Sequence, residues 1–255
     1  MALARADLES LLRARQLDRT LTTSLPQVDP RDEHALAPSG ISALDARLGG
    51  GFPRGQLSEL VGPRSSGRTS LLLQMMAAAT ARGELVALVD ALDMLDVESA
   101  AAAGVELDRL LWIRGHIVVN QGLCRELNQR AIEQAIRAFT LVLQAGNFGL
   151  VVFDVAEAPA DAVRRLPFTT WLRLQRMVEG SQTACILVGG EAMARSSAGL
   201  TLRLGLRAAG SGLGAQGSGL NFDAHLFNGL DVEARIVRAR AREQEEACVA
   251  LSTSA

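Results

Sequence analysis

The run Gly62-Pro63-Arg64-Ser65-Ser66-Gly67-Arg68-Thr69-Ser70 carries the most explicit chemistry in the chain. Its two glycines, followed by a basic residue and two hydroxyls, have the spacing of a phosphate-binding loop. Glycine lets backbone N–H groups curl around a phosphate, and a helix that starts there adds the positive end of its dipole. Thr69 stands where a hydroxyl would hold Mg²⁺. Arg68 stands where a lysine is expected, and a planar guanidinium cannot approach two phosphates as a compact ammonium does. The chain contains no Lys, so all 26 basic residues are Arg. Composition drift alone should not replace a residue on which turnover depends.

A loop of this kind needs a strand before it and a helix after it. The apolar run 57–61 supplies the strand, and 69–81 reads as a buried helix closed by Gly83. Further apolar strands are predicted at 85–89, 110–113, 149–153 and 185–188. Helices are predicted at 94–103, 125–143 and 168–178. Near-continuous apolar strands separated by helices predict an α/β fold with a mostly parallel twisted sheet covered on both faces. Residues 201–207 and 232–242 alternate instead, which predicts antiparallel strands appended at the C-terminal end. Residues 1–21 form an amphipathic helix with Leu8, Leu11 and Leu12 on one face. Residues 22–39, with Pro26, Pro30 and Pro38, form a linker. The core is placed at 40–242 and a tail at 243–255.

Composition narrows the class. The chain has 255 residues, 48% hydrophobic and 21% charged, with a formal charge of −2. Such a charge argues against coating nucleic acid by bulk electrostatics. Cys124, Cys185, Cys248, His34, His116 and His225 show no metal spacing, so no metal site is expected. The N-terminal segment, with Arg5, Asp7 and Glu9, does not read as a signal peptide. No apolar run approaches the ~20 residues of a membrane span. A cytoplasmic protein with no membrane contact is expected. Trp112 and Trp171 read as core. Arg238, Arg240 and Arg242 fall on one face of their strand; they suit contact with DNA or an acidic partner, or protection of a sheet edge by charge.

The residues from Gly40-Ile41-Ser42-Ala43-Leu44-Asp45 through Gly51-Phe52-Pro53-Arg54-Gly55 resemble the stretch that leads into the RecA loop. The loop itself, Val89-Asp90-Ala91, the run 103–111 and Val151-Val152-Phe153-Asp154 continue the resemblance, Asp154 matching the Walker B acid. The resemblance implies a RecA-like fold and a nucleotide site formed by Gly62, Ser65, Ser66, Gly67, Arg68, Thr69, Ser70 and Asp154. Within that superfamily the chain most resembles the ImuA family of bacterial mutagenesis cassettes. Three departures stand out. Leu92 occupies the place of the catalytic glutamate, Glu191 that of the phosphate-sensing glutamine, and Arg68 that of the lysine. Removing one such group commonly slows a reaction by about 10²–10⁴. These departures predict a degenerate site: no catalytic residue, ATPase activity lost, no resident cofactor and only weak ATP or ADP binding. The resemblance implies a translesion-synthesis adaptor. Its partners are the cassette's inactive Y-family polymerase-like protein, RecA, weakly DNA, and a second copy docked through Leu8, Leu11 and Leu12. An active DNA-dependent ATPase of recombinase type and a SulA-like cell-division inhibitor are the alternatives.

Overall fold

The computed structural model describes residues 36–115, 125–206, 231–239 and 248–252. The N-terminal helix with Leu8, Leu11 and Leu12, nearly all of the linker, and Arg240 and Arg242 lie outside these residues.

Strands β1 (Leu36–Ala37) and β2 (Phe52–Pro53) pair antiparallel around helix α1 (Ser42–Leu48). Gly51 makes that pairing feasible: its φ is +136°, and a Cβ there would lie 2.2 Å from the Ala37 carbonyl oxygen. The main sheet follows, with β3 (Leu57–Val61), α2 (Arg68–Ala81), β4 (Val86–Asp90), α3 (Val97–Ala102) and β5 (Leu110–Arg114). Then come α4 (Arg125–Ala145), β6 (Leu150–Asp154), α5 (Ala160–Arg164), α6 (Phe168–Val178), β7 (Ala184–Gly189) and β8 (Ala198–Leu206). Strands β9 (Asp231–Ala239) and β10 (Cys248–Ser252) complete it. The order is β10-β9-β8-β3-β7-β6-β4-β5, parallel from β8 to β5 and antiparallel at β9 and β10.

Alternate residues of each buried strand feed two different cores, as the period of two requires. Leu60, Leu88, Val152 and Ile186 face a layer built from α1 and α2 with Leu44, Leu72 and Met76. Leu57, Val89, Phe153 and Leu187 face a layer built from α4 and α6 with Ile132, Phe139, Trp171 and Leu174. Each fully buried side chain of this size contributes roughly 1.5–3 kcal/mol. The Phe139 and Phe153 rings meet with centroids 5.1 Å apart.

Three local readings change. The strand predicted at 201–207 starts at Ala198 and pairs parallel with β3, so the antiparallel part begins only at β9. Its alternation reflects a sheet position nearer the edge, not the direction of the strand. The helix predicted at 94–103 starts at Val97, because the Asp96 carboxylate accepts the Ser99 N–H and caps it there, leaving Met94 exposed. Helix α5 falls between the strand predicted at 149–153 and the helix predicted at 168–178, where no element is expected, and starts after Pro159.

Glu59 is an exception within the apolar sheet. It lies on β3 with 1% exposure. Its Oε1 accepts the N–H groups of Met193 and Ala194 at 2.6 and 2.7 Å, and its Oε2 accepts the Thr201 hydroxyl at 2.8 Å. The carboxylate therefore ties the segment after β7 to the strand that leads into the glycine loop. Each buried donor left without a partner costs roughly 1–3 kcal/mol. Glu59→Ala strands three such donors and is expected to lose roughly 3–9 kcal/mol in urea unfolding. Glu59→Gln keeps one oxygen to accept the two N–H groups and requires the Thr201 hydroxyl to turn and accept from the amide, so it should cost less, roughly 1–3 kcal/mol.

Candidate nucleotide site

Parallel strands deliver their carboxyl ends to one edge of the sheet, and the chemistry collects there. The chain leaves β3 at Val61, turns through Gly62–Gly67 and enters α2 at Arg68. Gly67 holds φ +85° at the helix start, and its carbonyl accepts the Leu71 N–H at 2.9 Å. A Cβ on Gly62 would lie 2.5 Å from the Leu204 carbonyl and 2.6 Å from Ser66 Oγ, so the loop passes where only glycine fits.

The loop carries polar groups that the protein itself leaves unanswered. Ser66 Oγ and Arg68 Nη1 are buried and have no hydrogen-bond partner. Buried donors of this kind normally find one. Thr69 and Ser70 are exposed at the first turn of α2. Gly62, Pro63, Arg64 and Arg68 line a cavity of about 220 Å³ together with Ala156 and Glu157. A backbone cradle, a helix N-terminus, two hydroxyls and an orphaned guanidinium N–H fit a phosphate group.

Asp154 ends β6 beside Asp90, its register partner on β4. Partial burial, chiefly, raises the Asp154 pKa from 3.8 to about 6; the Ala156 N–H at 2.9 Å opposes this and the nearby Asp90 charge adds to it. Asp90 is committed to structure: it accepts the N–H groups of Leu92 and Leu95 and the Trp112 indole N–H at 3.2 Å. Leu92 has 9% exposure and joins the α4-side core. Asp93 is clasped by both sides of the Arg114 guanidinium at 2.6 Å, and Asp96 caps α3, so both neighbouring carboxylates are engaged elsewhere.

Glu191 does not present a bare negative charge. Arg164 donates to it at 2.8 Å, and that hydrogen bond and charge hold its carboxyl below the ordinary range. Residues missed by the sequence reading are Arg64 and Glu157, whose side chains meet at 2.5 Å beside Arg68. An acid shortly after Asp154 was the available signal. Among the predicted site residues, Arg238 pairs by backbone with Thr201 on the far side of β8 and does not join the loop. Among the described residues, no three or more His, Cys, Asp or Glu side chains cluster as metal ligands by themselves, and no helix is long and apolar enough to cross a membrane. Cys185 is buried, and burial pushes its thiol pKa up.

A glycine loop between a central parallel strand and a helix, with an acid ending the strand two places away in the sheet, defines a P-loop α/β domain. The RecA N-terminal domain model matches residues 23–159, more than half of the chain, and the chain belongs to that family. Protein RecA of Clavibacter michiganensis subsp. michiganensis is 35% identical over 156 residues, covering 55% of this chain and 39% of that protein. Protein RecA of Acholeplasma laidlawii is 39% identical over 123 residues, covering 48% and 33%. Protein RecA of Streptomyces avermitilis is 37% identical over 130 residues, covering 51% and 31%. The chain thus spans well under half the length of these curated relatives.

These relatives overturn the expectation that the domain is not an enzyme. All are named RecA, and the family match runs through the loop and Asp154, where degeneration had been inferred. The inference treated each replaced residue as a lost contribution. In the structure Arg68 lines the cavity beside the loop, Arg164 offsets the Glu191 charge, and another carboxylate, Glu157, stands at the site.

The Asp154 carboxyl gives a pH test. Its folded pKa lies above the unfolded value, so the folded state binds the extra proton between about pH 6 and 4. Its burial weakens the fold above pH 6, and that loss disappears as pH falls towards 4. The shift corresponds to at most about 3 kcal/mol, discounted to roughly 1–3 for partial solvent screening. Asp154→Asn is therefore expected to raise the urea midpoint at pH 7.5, with the gap to wild type closing by pH 4.

Proposed function

We propose that the chain is a nucleoside triphosphate-binding RecA-family protein that acts in DNA-damage tolerance and supports error-prone translesion synthesis through protein contacts. The observation that carries the nucleotide part is the pair of buried, unpartnered donors Ser66 Oγ and Arg68 Nη1 inside the glycine loop. Backbone N–H groups of residues 64–70, with the side chains of Ser65, Ser66 and Arg68, would hold the phosphates. Thr69 and Asp154 would hold the magnesium ion. A bound Mg-nucleotide supplies a hydrolysable phosphoanhydride at that place, and the likeness to RecA brings DNA-dependent ATP hydrolysis into the reading.

Two features favour protein contacts over a DNA-coating role. Only a short turn separates β6 from α5, and only a short segment with a 3₁₀ turn (Arg195–Ser197) separates β7 from β8. The net charge of −2 gives little bulk attraction for nucleic acid. In this reading Leu8, Leu11 and Leu12 dock on a RecA-like core, either of a second copy or of a partner such as RecA or an inactive Y-family polymerase-like protein. Weak DNA contact falls to Arg238, Arg240 and Arg242.

Titration calorimetry of the full chain with ATP and Mg²⁺, and phosphate release with and without single-stranded DNA, test the nucleotide part. Saturable binding and DNA-stimulated release are expected. Thr69→Ala and Arg68→Ala should each lower affinity or rate by tenfold or more, about 1.4 kcal/mol. No binding at millimolar ATP would overturn it. Deleting residues 1–35 tests the docking part: self-association or partner binding should be lost while the core melting temperature stays nearly unchanged. A sharply lowered melting temperature with assembly intact would place the leucines on their own domain.

A further inference from the structure

Glu157 lies on the turn after β6, and its two carboxylate oxygens are divided between the two arginines of the phosphate loop. Oε2 accepts Arg64 Nε at 2.5 Å, and Oε1 accepts Arg68 Nη2 at 3.0 Å. Arg64 is largely solvent-exposed, whereas Arg68 has 7% exposure and keeps its other amino group buried and unpartnered. The three side chains line the same cavity of about 220 Å³. Two guanidiniums are thus arranged around an anion. A single carboxylate brings one negative charge and leaves a buried Arg68 N–H unanswered, whereas a phosphate group has more charge and more acceptor oxygens. An incidental surface ion pair would bring two exposed side chains together for little gain. Here one partner is buried at the first residue of α2, so the carboxylate competes for groups that the loop directs inward.

We infer that Glu157 is an affinity-determining residue of the phosphate site: it acts as an internal anion that an incoming phosphate must displace from Arg64 and Arg68. The inference rests on the nucleotide-site reading above and goes beyond it. Displacing the same carboxylate opposes every ligand that reaches the arginine pair by the same factor. It does not oppose a ligand that stops short of the pair. The site therefore admits phosphate chains only at concentrations that overcome the internal competitor, and a nucleoside without phosphates does not sense it.

The test is calorimetric titration of the full chain with sodium tripolyphosphate, orthophosphate and adenosine, in a chelator and at constant ionic strength. Wild type is compared with Glu157→Gln and Glu157→Ala, and each variant's melting curve checks folding. Both substitutions are expected to tighten tripolyphosphate about tenfold and orthophosphate by a similar factor, leaving adenosine unchanged. Wild-type binding with no tightening in either variant would make Glu157 an inert ion pair and overturn the inference alone. Weaker binding in both variants would make it a group that orients the arginines, which also overturns it. Failure of wild type and both variants to bind tripolyphosphate would overturn the phosphate-site reading together with the inference. Adenosine binding that tightens in parallel would show a general change in the protein and overturn the displacement mechanism.

Discussion

Strand β3 is buried along its whole length, held in parallel register by β7 on one side and β8 on the other. A buried parallel strand must discharge its chain at one edge of the sheet, and for β3 that exit is the glycine loop. Glu59 adds a second constraint, because its carboxylate fixes the segment after β7 against the same strand. The loop, the end of β6 and the segment after β7 are therefore placed by backbone pairing before any ligand is considered. Substituting a surface residue leaves this frame intact; removing an acceptor from inside it strands the backbone donors of the neighbouring segment.

Along that edge the acids differ in how they are compensated. Asp90 takes three N–H groups and becomes part of the turn after β4. Glu191 leans on Arg164, Asp93 on Arg114 and Glu157 on the two loop arginines. Asp154 is where burial prevails over its hydrogen bond and the Arg68 charge, so its proton is held to a higher pH. A carboxyl kept costly beside a phosphate loop is a place where a cation is welcome. The same arrangement gives the empty-handed groups of the loop, Ser66 Oγ and Arg68 Nη1, a matching polarity for an anion.

Family membership rests on the stretch from the linker to just past Asp154, and the sheet edge that carries the glycine loop lies largely within it. The three replaced residues show how far residue type can mislead when read one position at a time. Leu92 is core, and its apolar side chain fills space against α4. Glu191 reads as repulsive only until Arg164 is seen beside it. Arg68 reads as a failed lysine until its side chain is found lining the cavity, with one amino group buried and unpartnered. Charge at a site is a property of the local set of groups, so the loss of one of them does not establish loss of the activity.

The sequence by itself determined the α/β class, the glycine loop, the helix behind it and the acid at Asp154. These are local or periodic features: apolar runs set strands, and the loop needs glycine where backbones pass too closely for a Cβ. It also showed that strands near the C-terminal end are half-exposed. Only the tertiary structure decided that residues 198–206 run parallel beside β3, because alternation reports burial and not direction. Only the tertiary structure, too, brought Glu157 between Arg64 and Arg68, and Glu59 under residues 193–194. Those contacts join residues separated by whole strands and helices, and their geometry follows from the order of strands in the sheet, which no short-range pattern encodes.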